Sequence, residues 1–175
     1  TITGFSASNC NITIPASIEG YPVTVIAEEA FNDSMLDIFI PASVTLIEEN
    51  AFLCNATGFI VDPANTAYTS VDGVLFTKDM TTLMCYPNDD EERISYDVPE
   101  GVTAIAEHAF HYAYYLENVT LPDTLTSIGN YAFDECYYIE SINLPDSLTE
   151  IGDYAFSYCE SLKSVVIPEG VTELC

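Results

Sequence analysis

The chain has 175 residues, and 49% of them are hydrophobic, which is enough apolar material to fill a sizeable core. Only 3 Lys and Arg residues stand against 28 Asp and Glu residues, so the formal net charge is −25. A field of this sign repels nucleic acids and anionic membranes and attracts cations and basic protein surfaces. We therefore expect no nucleic-acid partner. The plainer interpretation of the charge is that the acidic residues simply keep the protein soluble.

Two further features limit the class of protein. No apolar run approaches the roughly 18 residues of a membrane-spanning helix, so we expect no membrane insertion in this segment. The six cysteines are too few for a disulfide scaffold in a chain of this length.

The chain begins with an irregular segment, residues 1–14, in which no complete repeat is visible. Its apolar residues are Ile2, Phe5, Ile12 and Ile14. We interpret this segment as an edge of the fold. The first Ile-Pro pair follows at Ile14-Pro15, and the first turn then carries five more residues before Ala30-Phe31 than the later turns carry.

A repeated stretch organises the rest of the chain. The pattern of residues 121–136 returns at residues 144–159, and it begins again at Ile167-Pro168. Another regular copy begins at Ile40-Pro41. A repeat of this length, which runs from one Leu-Pro pair to the next, predicts a solenoid in which each coil buries its apolar residues against the next coil.

Each coil is predicted to have the same parts. Alternating apolar residues before the proline indicate a short, half-buried strand, which the proline terminates because it has no amide hydrogen. The apolar residues before the prolines are Met35, Ile38 and Ile40; Leu116, Val119 and Leu121; Ile139, Ile142 and Leu144; and Leu162, Val165 and Ile167.

Two positions after the proline complete the predicted core. The sixth residue after it is Ile or Leu, and the eleventh is Phe, and both are expected to point inward. Phe133 and Phe156 should therefore be nearly fully buried. The Ala before each Phe is expected to be small because the coil is tight there, and the segment around it is expected to form one helical turn.

An insertion interrupts the register. Phe52 and Phe110 lie much farther apart in the sequence than one repeat, and the additional residues are placed at 62–97. Lys78-Asp79-Met80-Thr81 lies between two apolar runs and suits a hairpin loop. We predict a β-hairpin folded onto the flank of the solenoid, followed by an exposed acidic loop at residues 88–92.

The repeat resembles the BspA-like leucine-rich repeats, also called the TpLRR class. The resemblance rests on Ile/Leu-Pro, Leu-Thr-x-Ile-Gly, Tyr-Ala-Phe and a following Cys, and in the insertion on Asp62-Pro63-x-Asn65 and Asp72-Gly73-Val74. It implies a curved leucine-rich-repeat solenoid, α/β by class but dominated by short parallel strands, with short helical turns and an inserted β-hairpin. We expect residues 1–175 to form a single domain with the insertion at 62–97, as a fragment of a longer protein.

The same resemblance implies a function. Such repeats are common on surface proteins of host-associated bacteria and of some protozoa, and several members are linked to adhesion. The family has no shared catalytic residues, so we expect no enzyme activity and no cofactor. The expectation is an extracellular or cell-surface module that binds a protein, such as a host extracellular-matrix protein, or a glycan. A structural spacer and a repeat appendage of a larger secreted enzyme are the alternatives.

A group of tyrosines is the candidate interaction surface. The residues fall at corresponding points of successive coils, and tyrosine is favoured at interfaces because it buries much area with few rotatable bonds. Rings that only cover the solenoid edge and pack on each other are the alternative, with about equal weight. The candidates are Tyr112, Tyr114, Tyr115, Tyr137, Tyr138 and Tyr158.

The histidines and cysteines, which could in principle bind a metal or act as nucleophiles, are better explained by structural roles. His108 and His111 are the only histidines, His108 occupies a position that looks solvent-facing, and Glu107 or Asp134 would complete a metal site only by chance. We therefore expect no metal site. Cys136 and Cys159 occupy a core-facing position, where we expect free, inert thiols, although adjacent coils would also allow a disulfide.

Two surface features remain. The acidic run Asp89-Asp90-Glu91-Glu92 is more readily a solvated loop than a weak Ca²⁺ site, since no EF-hand spacing is present. The last coil, with Val165, Ile167, Val171 and Leu174, has no successor in the sequence, and an unpaired apolar edge favours pairing with another molecule. We expect end-to-end self-association that strengthens as salt screens the net charge.

Overall fold

The computed structural model describes residues 1–2, 11–31, 37–52, 56–88 and 91–173. The predictions made for Phe5, Met35, Asp89-Asp90 and Leu174 lie outside these residues. Sixteen short strands are assigned in the described part of the chain, which contains no helix. The strands are β1 Ile12–Thr13, β2 Ser17–Ile18, β3 Tyr21–Pro22, β4 Val25–Ile26, β5 Asp37–Ile40, β6 Leu46–Ile47, β7 Gly58–Val61, β8 Tyr68–Val71, β9 Val74–Thr77, β10 Thr82–Cys85, β11 Ser95–Asp97, β12 Ala104–Ile105, β13 Asn118–Thr120, β14 Ser127–Ile128, β15 Ser141–Ile142 and β16 Glu150–Ile151.

Each regular coil contributes two strands to two parallel sheets. The strand before the proline builds the sheets β1-β5-β7 and β11-β13-β15, and the strand after it builds β4-β6 and the parallel part of a six-stranded sheet, β16-β14-β12-β10-β9-β8. In that sheet Ile105 pairs with Ile128 and Ile128 pairs with Ile151, so the partners occupy the same position in successive repeats. The predicted solenoid is therefore confirmed.

The first coil is longer because it contains a small hairpin. Strands β2 and β3 pair antiparallel, with Ile18 opposite Tyr21, and Glu19 and Gly20 form the turn at φ angles of 51° and 83°. Two successive left-handed residues match the twist of a two-residue hairpin. The five additional residues of this coil therefore form a local projection, and the core positions on either side keep their places.

A row of stacked phenylalanines forms the interior. The rings of Phe110 and Phe133 lie 4.7 Å apart at 11°, and those of Phe133 and Phe156 lie 5.3 Å apart at 5°. Phe133 is fully buried, as predicted, and so is the neighbouring Ala132. The prediction that Phe156 is nearly fully buried is wrong: this ring is only partly buried, because the described part of the chain places no further Phe on its outer face.

The segment around each Ala-Phe pair is a succession of reverse turns rather than the expected helical turn. The amide of Ala109 donates to the carbonyl of Ala106, three residues back, at 3.2 Å. The next residue instead donates to the neighbouring coil, since the Phe110 amide reaches the Ala132 carbonyl at 2.7 Å. The amides are therefore shared between the local turn and the stack, and this sharing prevents a continuous helical pattern.

The insertion forms three antiparallel strands, β8, β9 and β10, and residues 78–81 form the predicted loop between β9 and β10. The insertion does not lie on the flank of the solenoid. Strand β10 pairs in parallel with β12, with Leu83 opposite Ile105, so the hairpin is part of the six-stranded sheet. Strand β9 also separates two cores: Val74 and Phe76 belong to the C-terminal cluster, whereas Leu75 belongs to the N-terminal cluster.

Asn65 joins the insertion to the second coil. Its side-chain amide donates to the carbonyls of Pro41 at 2.8 Å and Val44 at 3.0 Å. Its side-chain oxygen accepts from the amides of Ala67 at 2.8 Å and Tyr68 at 2.9 Å. The residue is buried, and both of its donor hydrogens and its acceptor oxygen are used. This explains why an asparagine stands at the beginning of the insertion.

The last predicted strand is absent. No strand is assigned to Leu162, Val165 and Ile167 in the described structure, and neighbouring Val166 is 81% exposed. Lys163 forms an exposed ion pair with Glu140 at 3.4 Å. An exposed pair of this kind contributes at most about 1 kcal/mol and does not order a strand.

Candidate interaction surface

Three of the predicted tyrosines form one stack, which we call the tyrosine stack: Tyr112, Tyr114 and Tyr137. The rings of Tyr112 and Tyr114 lie 5.3 Å apart at 22°, and those of Tyr114 and Tyr137 lie 5.4 Å apart at 7°. Tyr114 and Tyr137 are one repeat apart, so the coil spacing brings them together. Tyr112 reaches the stack because its backbone adopts a left-handed φ of 61°.

The other three predicted tyrosines lie around the stack as exposed side chains. Tyr138 is 55% exposed and Tyr158 is 67% exposed. Tyr158 is two repeats from Tyr112, and Glu135 occupies the corresponding position in the coil between them. The hydroxyl of Tyr115 donates to the Glu91 carboxylate at 3.2 Å. The structure therefore gives one ordered stack with separate exposed rings beside it, rather than a continuous ladder.

A second aromatic row was missed by the sequence analysis. The rings of His108 and Tyr131 are parallel within 3° at 4.9 Å, and Tyr131 and Tyr154 stack at 5.1 Å. All three residues have left-handed backbones, with φ between 53° and 56°. Their recurrence once per repeat was the available signal, but the position also accepts Glu29 and Asn50 and was therefore interpreted as tolerant surface.

Glu135 holds the tyrosine stack in place through a hydrogen bond with one of its hydroxyl groups. The Tyr137 hydroxyl donates a short hydrogen bond to the Glu135 carboxylate. This bond, together with desolvation, raises the pKa of Tyr137. Burial and then the charge of Glu135 also raise the pKa of Tyr112. Both hydroxyls are therefore protonated donors over the whole physiological range, and the carboxylate fixes their direction.

The surroundings of the stack are acidic. Glu117, Glu140 and Glu160 are exposed residues of the same coils. The surface thus combines aromatic area with negative charge, which suits a partner with a basic face. The cationic side chains make contacts of their own: Lys163 pairs with Glu140, Lys78 donates to the Pro63 carbonyl and Arg93 donates to the Asp72 carbonyl.

His108 is not the solvent-facing residue that the sequence predicted. Only 14% of its side chain is exposed, because it stacks on Tyr131 and packs at a tilt of 54° against His111. Burial and the neighbouring His111 lower the pKa of His108. The neutral imidazole is therefore the form that the aromatic row holds.

Cys136 and Cys159 are free thiols, as predicted. Each donates to a carbonyl of the preceding coil: Cys136 to Phe110 and Cys159 to Phe133, both at 3.1 Å. Burial raises the pKa of Cys136 well above its ordinary value and that of Cys159 to about 12. A thiol held protonated is a poor nucleophile, so these residues are structural. Cys85, in contrast, is disulfide-bonded.

A small cavity lies where the second coil meets the insertion. Its volume is about 70 Å³, and its walls include Phe52, Leu75, Met84 and His108. Pockets that hold small molecules usually measure about 300–1,000 Å³. This cavity is a packing defect at the junction of the two cores, and it offers no room for a substrate.

Stacked coils with parallel strand pairs between corresponding positions define a solenoid repeat protein. A family model for the BspA type leucine-rich repeat region matches residues 1–79 and 85–175 in 6 copies. The chain therefore belongs to the BspA-type leucine-rich repeat family. A comparison with curated proteins gives no match. The described part of the chain has no helix of the length and apolarity that crossing a membrane requires.

Several solved bacterial structures are similar over most of the chain. A leucine-rich repeat protein from Eubacterium ventriosum is 27% identical with a TM-score of 0.79, over 89% of this chain and 41% of that one. A leucine-rich cell surface protein from Faecalibacterium prausnitzii is 32% identical with a TM-score of 0.78, over 91% and 48%. The pneumococcal vaccine antigen PcpA is 28% identical with a TM-score of 0.67, over 87% and 44%. The chain thus matches less than half the length of each.

Proposed function

We propose that this chain is an extracellular or cell-surface binding module that presents the tyrosine stack and its exposed neighbours to a protein ligand. The observation that carries the proposal is the combination of ordered and exposed rings on one set of coils. Tyr112, Tyr114 and Tyr137 are held in place by stacking and by Glu135. Aromatic rings that are already ordered lose little conformational entropy on binding, and this favours affinity.

The charge of the surface narrows the class of partner. A chain with a net charge of −25 repels acidic partners at long range and attracts basic ones. A protein ligand with a basic patch, such as a cationic segment of a host extracellular-matrix protein, fits the surface better than an acidic protein. A neutral glycan is the second candidate, because tyrosine rings also stack on apolar sugar faces.

Two observations support a location outside the cell. Cys85 takes part in a disulfide, and disulfides persist chiefly in oxidising compartments. The similar protein from Faecalibacterium prausnitzii is itself described as a leucine-rich cell surface protein. Adhesion to a host or to a neighbouring cell is the role that this location favours.

A binding role without catalysis agrees with the chemistry of the described residues. Leucine-rich repeats are generally binding scaffolds, and the two free thiols are held protonated. The proposal therefore assigns no catalytic residue and no cofactor to the interaction surface.

The test uses a panel of extracellular-matrix proteins and glycans probed with the purified chain. We expect binding to one or more basic matrix proteins, with an affinity that falls as salt rises. Tyr114→Ser combined with Tyr138→Ser should weaken that binding at least about tenfold, as for central aromatic residues at interfaces. Tyr21→Ser is the matched control, because Tyr21 is an exposed tyrosine on the β2–β3 hairpin of the first coil.

The outcomes separate the competing functions. Loss of binding in the double variant with normal binding in Tyr21→Ser supports the proposal. Equal loss in both variants contradicts the assignment of the surface. If no panel member binds, and deletion of these coils only shortens the parent protein, a structural spacer is the better account.

Self-association through the last coil stays a prediction. The exposure of Val166 and Ile167 in that coil supports it, whereas the net charge opposes it. Light scattering across a salt series tests it: association should increase with ionic strength, and a monomer at every salt concentration would contradict it.

A further inference from the structure

Three potential metal ligands converge beneath the tyrosine stack. Stacking of two adjacent coils places His111 over Asp134, one repeat later, and their Nε2 and Oδ2 atoms lie 3.4 Å apart. Glu135 follows Asp134 directly. One ligand atom from each of the three residues lies within 4.8 Å of the other two.

The site is built into the fold. His111 and Asp134 are each only 8% exposed, and Glu135 is partly exposed, so the group opens towards solvent on the Glu135 side. The Oδ1 atom of Asp134 is buried and has no hydrogen-bond partner in the described structure. A buried carboxylate oxygen without a partner is costly, unless a cation satisfies it.

The site brings two carboxylates, those of Asp134 and Glu135, to a single imidazole. Lys78 donates to the Pro63 carbonyl and Lys163 pairs with Glu140, so these two cations lie at other groups. A divalent ion with a neutral imidazole and two carboxylates gives a neutral site, and deprotonated carboxylate with neutral imidazole is the form in which such ligands bind metals.

The separation of His111 and Asp134 suits a small transition-metal ion. In a tetrahedral Zn²⁺ site with bonds of about 2.1 Å, neighbouring ligand atoms lie about 3.4 Å apart. The His111–Asp134 pair already has this separation. An imidazole with two carboxylate oxygens also favours Zn²⁺ or a similar ion over Ca²⁺ and Mg²⁺, which bind oxygen ligands.

The tyrosines supply outer contacts of the kind that support metal ligands. The Tyr137 hydroxyl donates to the Glu135 carboxylate, which fixes that carboxylate beneath the stack. Ligating carboxylates in metal sites are commonly oriented by such hydrogen bonds. We propose that His111, Asp134 and Glu135 form a binding site for a divalent transition-metal ion of the Zn²⁺ type. The sequence alone predicted no such site, since it treated an Asp134 ligand as a matter of chance.

The test measures Zn²⁺ uptake by the whole chain by equilibrium dialysis followed by metal analysis. Millimolar Mg²⁺ and physiological salt are included, so that the acidic surface is screened and occupied. We expect one Zn²⁺ per chain. Asp134→Asn and His111→Gln should each weaken Zn²⁺ binding at least about tenfold, because each removes or neutralises one ligand. His108→Gln is the matched control and should bind as the wild type does.

Three further measurements locate the bound ion. Cys159→Ser should keep full Zn²⁺ binding, and loss of binding in this variant would indicate that the ion binds at the thiols instead. A long-range ¹H–¹⁵N spectrum of the unsubstituted chain needs no variant: Zn²⁺ should shift the ring nitrogens of His111, one of only two histidines. Zn²⁺ should also raise the melting temperature of the wild type and leave that of Asp134→Asn unchanged. Uptake well below one Zn²⁺ per chain, or uptake that Asp134→Asn does not alter, would overturn the proposal.

Discussion

The regular coils from β11 to β16 and the inserted antiparallel strands β8 to β10 meet the same requirement, an apolar neighbour with a parallel edge, in different ways. In the regular coils each strand pairs in parallel with the corresponding strand of the next repeat. In the insertion three consecutive strands pair antiparallel, and only the last of them, β10, joins the parallel stack through β12. A solenoid coil thus needs a neighbour that supplies one parallel edge and one apolar face, and the neighbour need not be another coil.

The difference also appears in the cores. In the regular coils a single row of phenylalanines continues from Phe110 to Phe156. In the insertion, alternate residues of β9 face two separate clusters. A strand between two apolar faces must be apolar at consecutive positions, and Val74-Leu75-Phe76 fits this requirement.

The largest expected effect is in the phenylalanine row. Phe133→Ala removes a fully buried ring that stacks on both sides, and it should lower the free energy of unfolding by about 3–5 kcal/mol. Phe156→Ala is the matched comparison, because the same ring one coil later is partly exposed. Its cost should be about 1–2 kcal/mol, since less area leaves water on folding. Equal costs in urea unfolding would contradict the difference between inner and outer coils.

Much of the fold follows from the sequence because the regular repeats keep the same length. The spacing between Phe133 and Phe156 determines the register of every strand between them, and the prolines mark where strands end. The insertion was predicted as a hairpin from its loop, but its place in the sheet was not. That place depends on which edge β10 meets, and the pairing of Leu83 with Ile105 is a contact between unlike sequences.

The second effect concerns the attachment of the insertion. Asn65→Ala removes hydrogen bonds to two carbonyls and two amides at a buried position. Because those backbone groups lose their partners without gaining water, we expect a loss of about 3 kcal/mol of unfolding free energy. Asn143, which is exposed in a regular coil, is the control, and Asn143→Ala should cost less than about 0.5 kcal/mol. A small cost at Asn65 would mean that the strands alone hold the insertion.

The third prediction concerns how closely the backbone of β12 and the turn after it packs against its two neighbours, the insertion on one side and the next coil on the other. A Cβ atom added to Gly129 would lie 2.6 Å from the backbone nitrogen of Glu107, so Gly129→Ala should cost about 1–3 kcal/mol through overpacking. Ala106 occupies the same position one coil earlier, where its amide donates to Leu83 of the insertion. The insertion therefore leaves room for a Cβ that a regular coil does not. Ala106→Gly should cost only about 0.5–1 kcal/mol, and a larger cost than that of Gly129→Ala would reverse the comparison.

The candidate site was predictable only where it follows the repeat. Tyr114 and Tyr137 lie one repeat apart, and so do His111 and Asp134, so their contact is a consequence of stacking. The left-handed backbone of Tyr112 also recurs once per repeat, at Glu135 and Tyr158, but the contact of Tyr112 with Tyr114 lies within one coil and does not follow from the repeat spacing.

The smallest expected effect concerns a hydrogen bond by which the insertion replaces the strand of a neighbouring coil. In a parallel sheet the amide of Ile47 would donate to a carbonyl of the next strand. Here it donates at 2.8 Å to the hydroxyl of Tyr68, which is buried in the insertion. Burial raises the pKa of Tyr68, and the hydrogen bond from Ile47 opposes that rise only in part.

Removing this hydroxyl isolates its contribution. Tyr68→Phe keeps the ring but leaves the Ile47 amide without its acceptor, so it should cost about 1–2 kcal/mol and speed hydrogen exchange at Ile47. Tyr21→Phe, at an exposed hydroxyl, should change neither quantity. If the Ile47 amide stays as protected in Tyr68→Phe as in the wild type, the hydroxyl is not the group that replaces the missing strand.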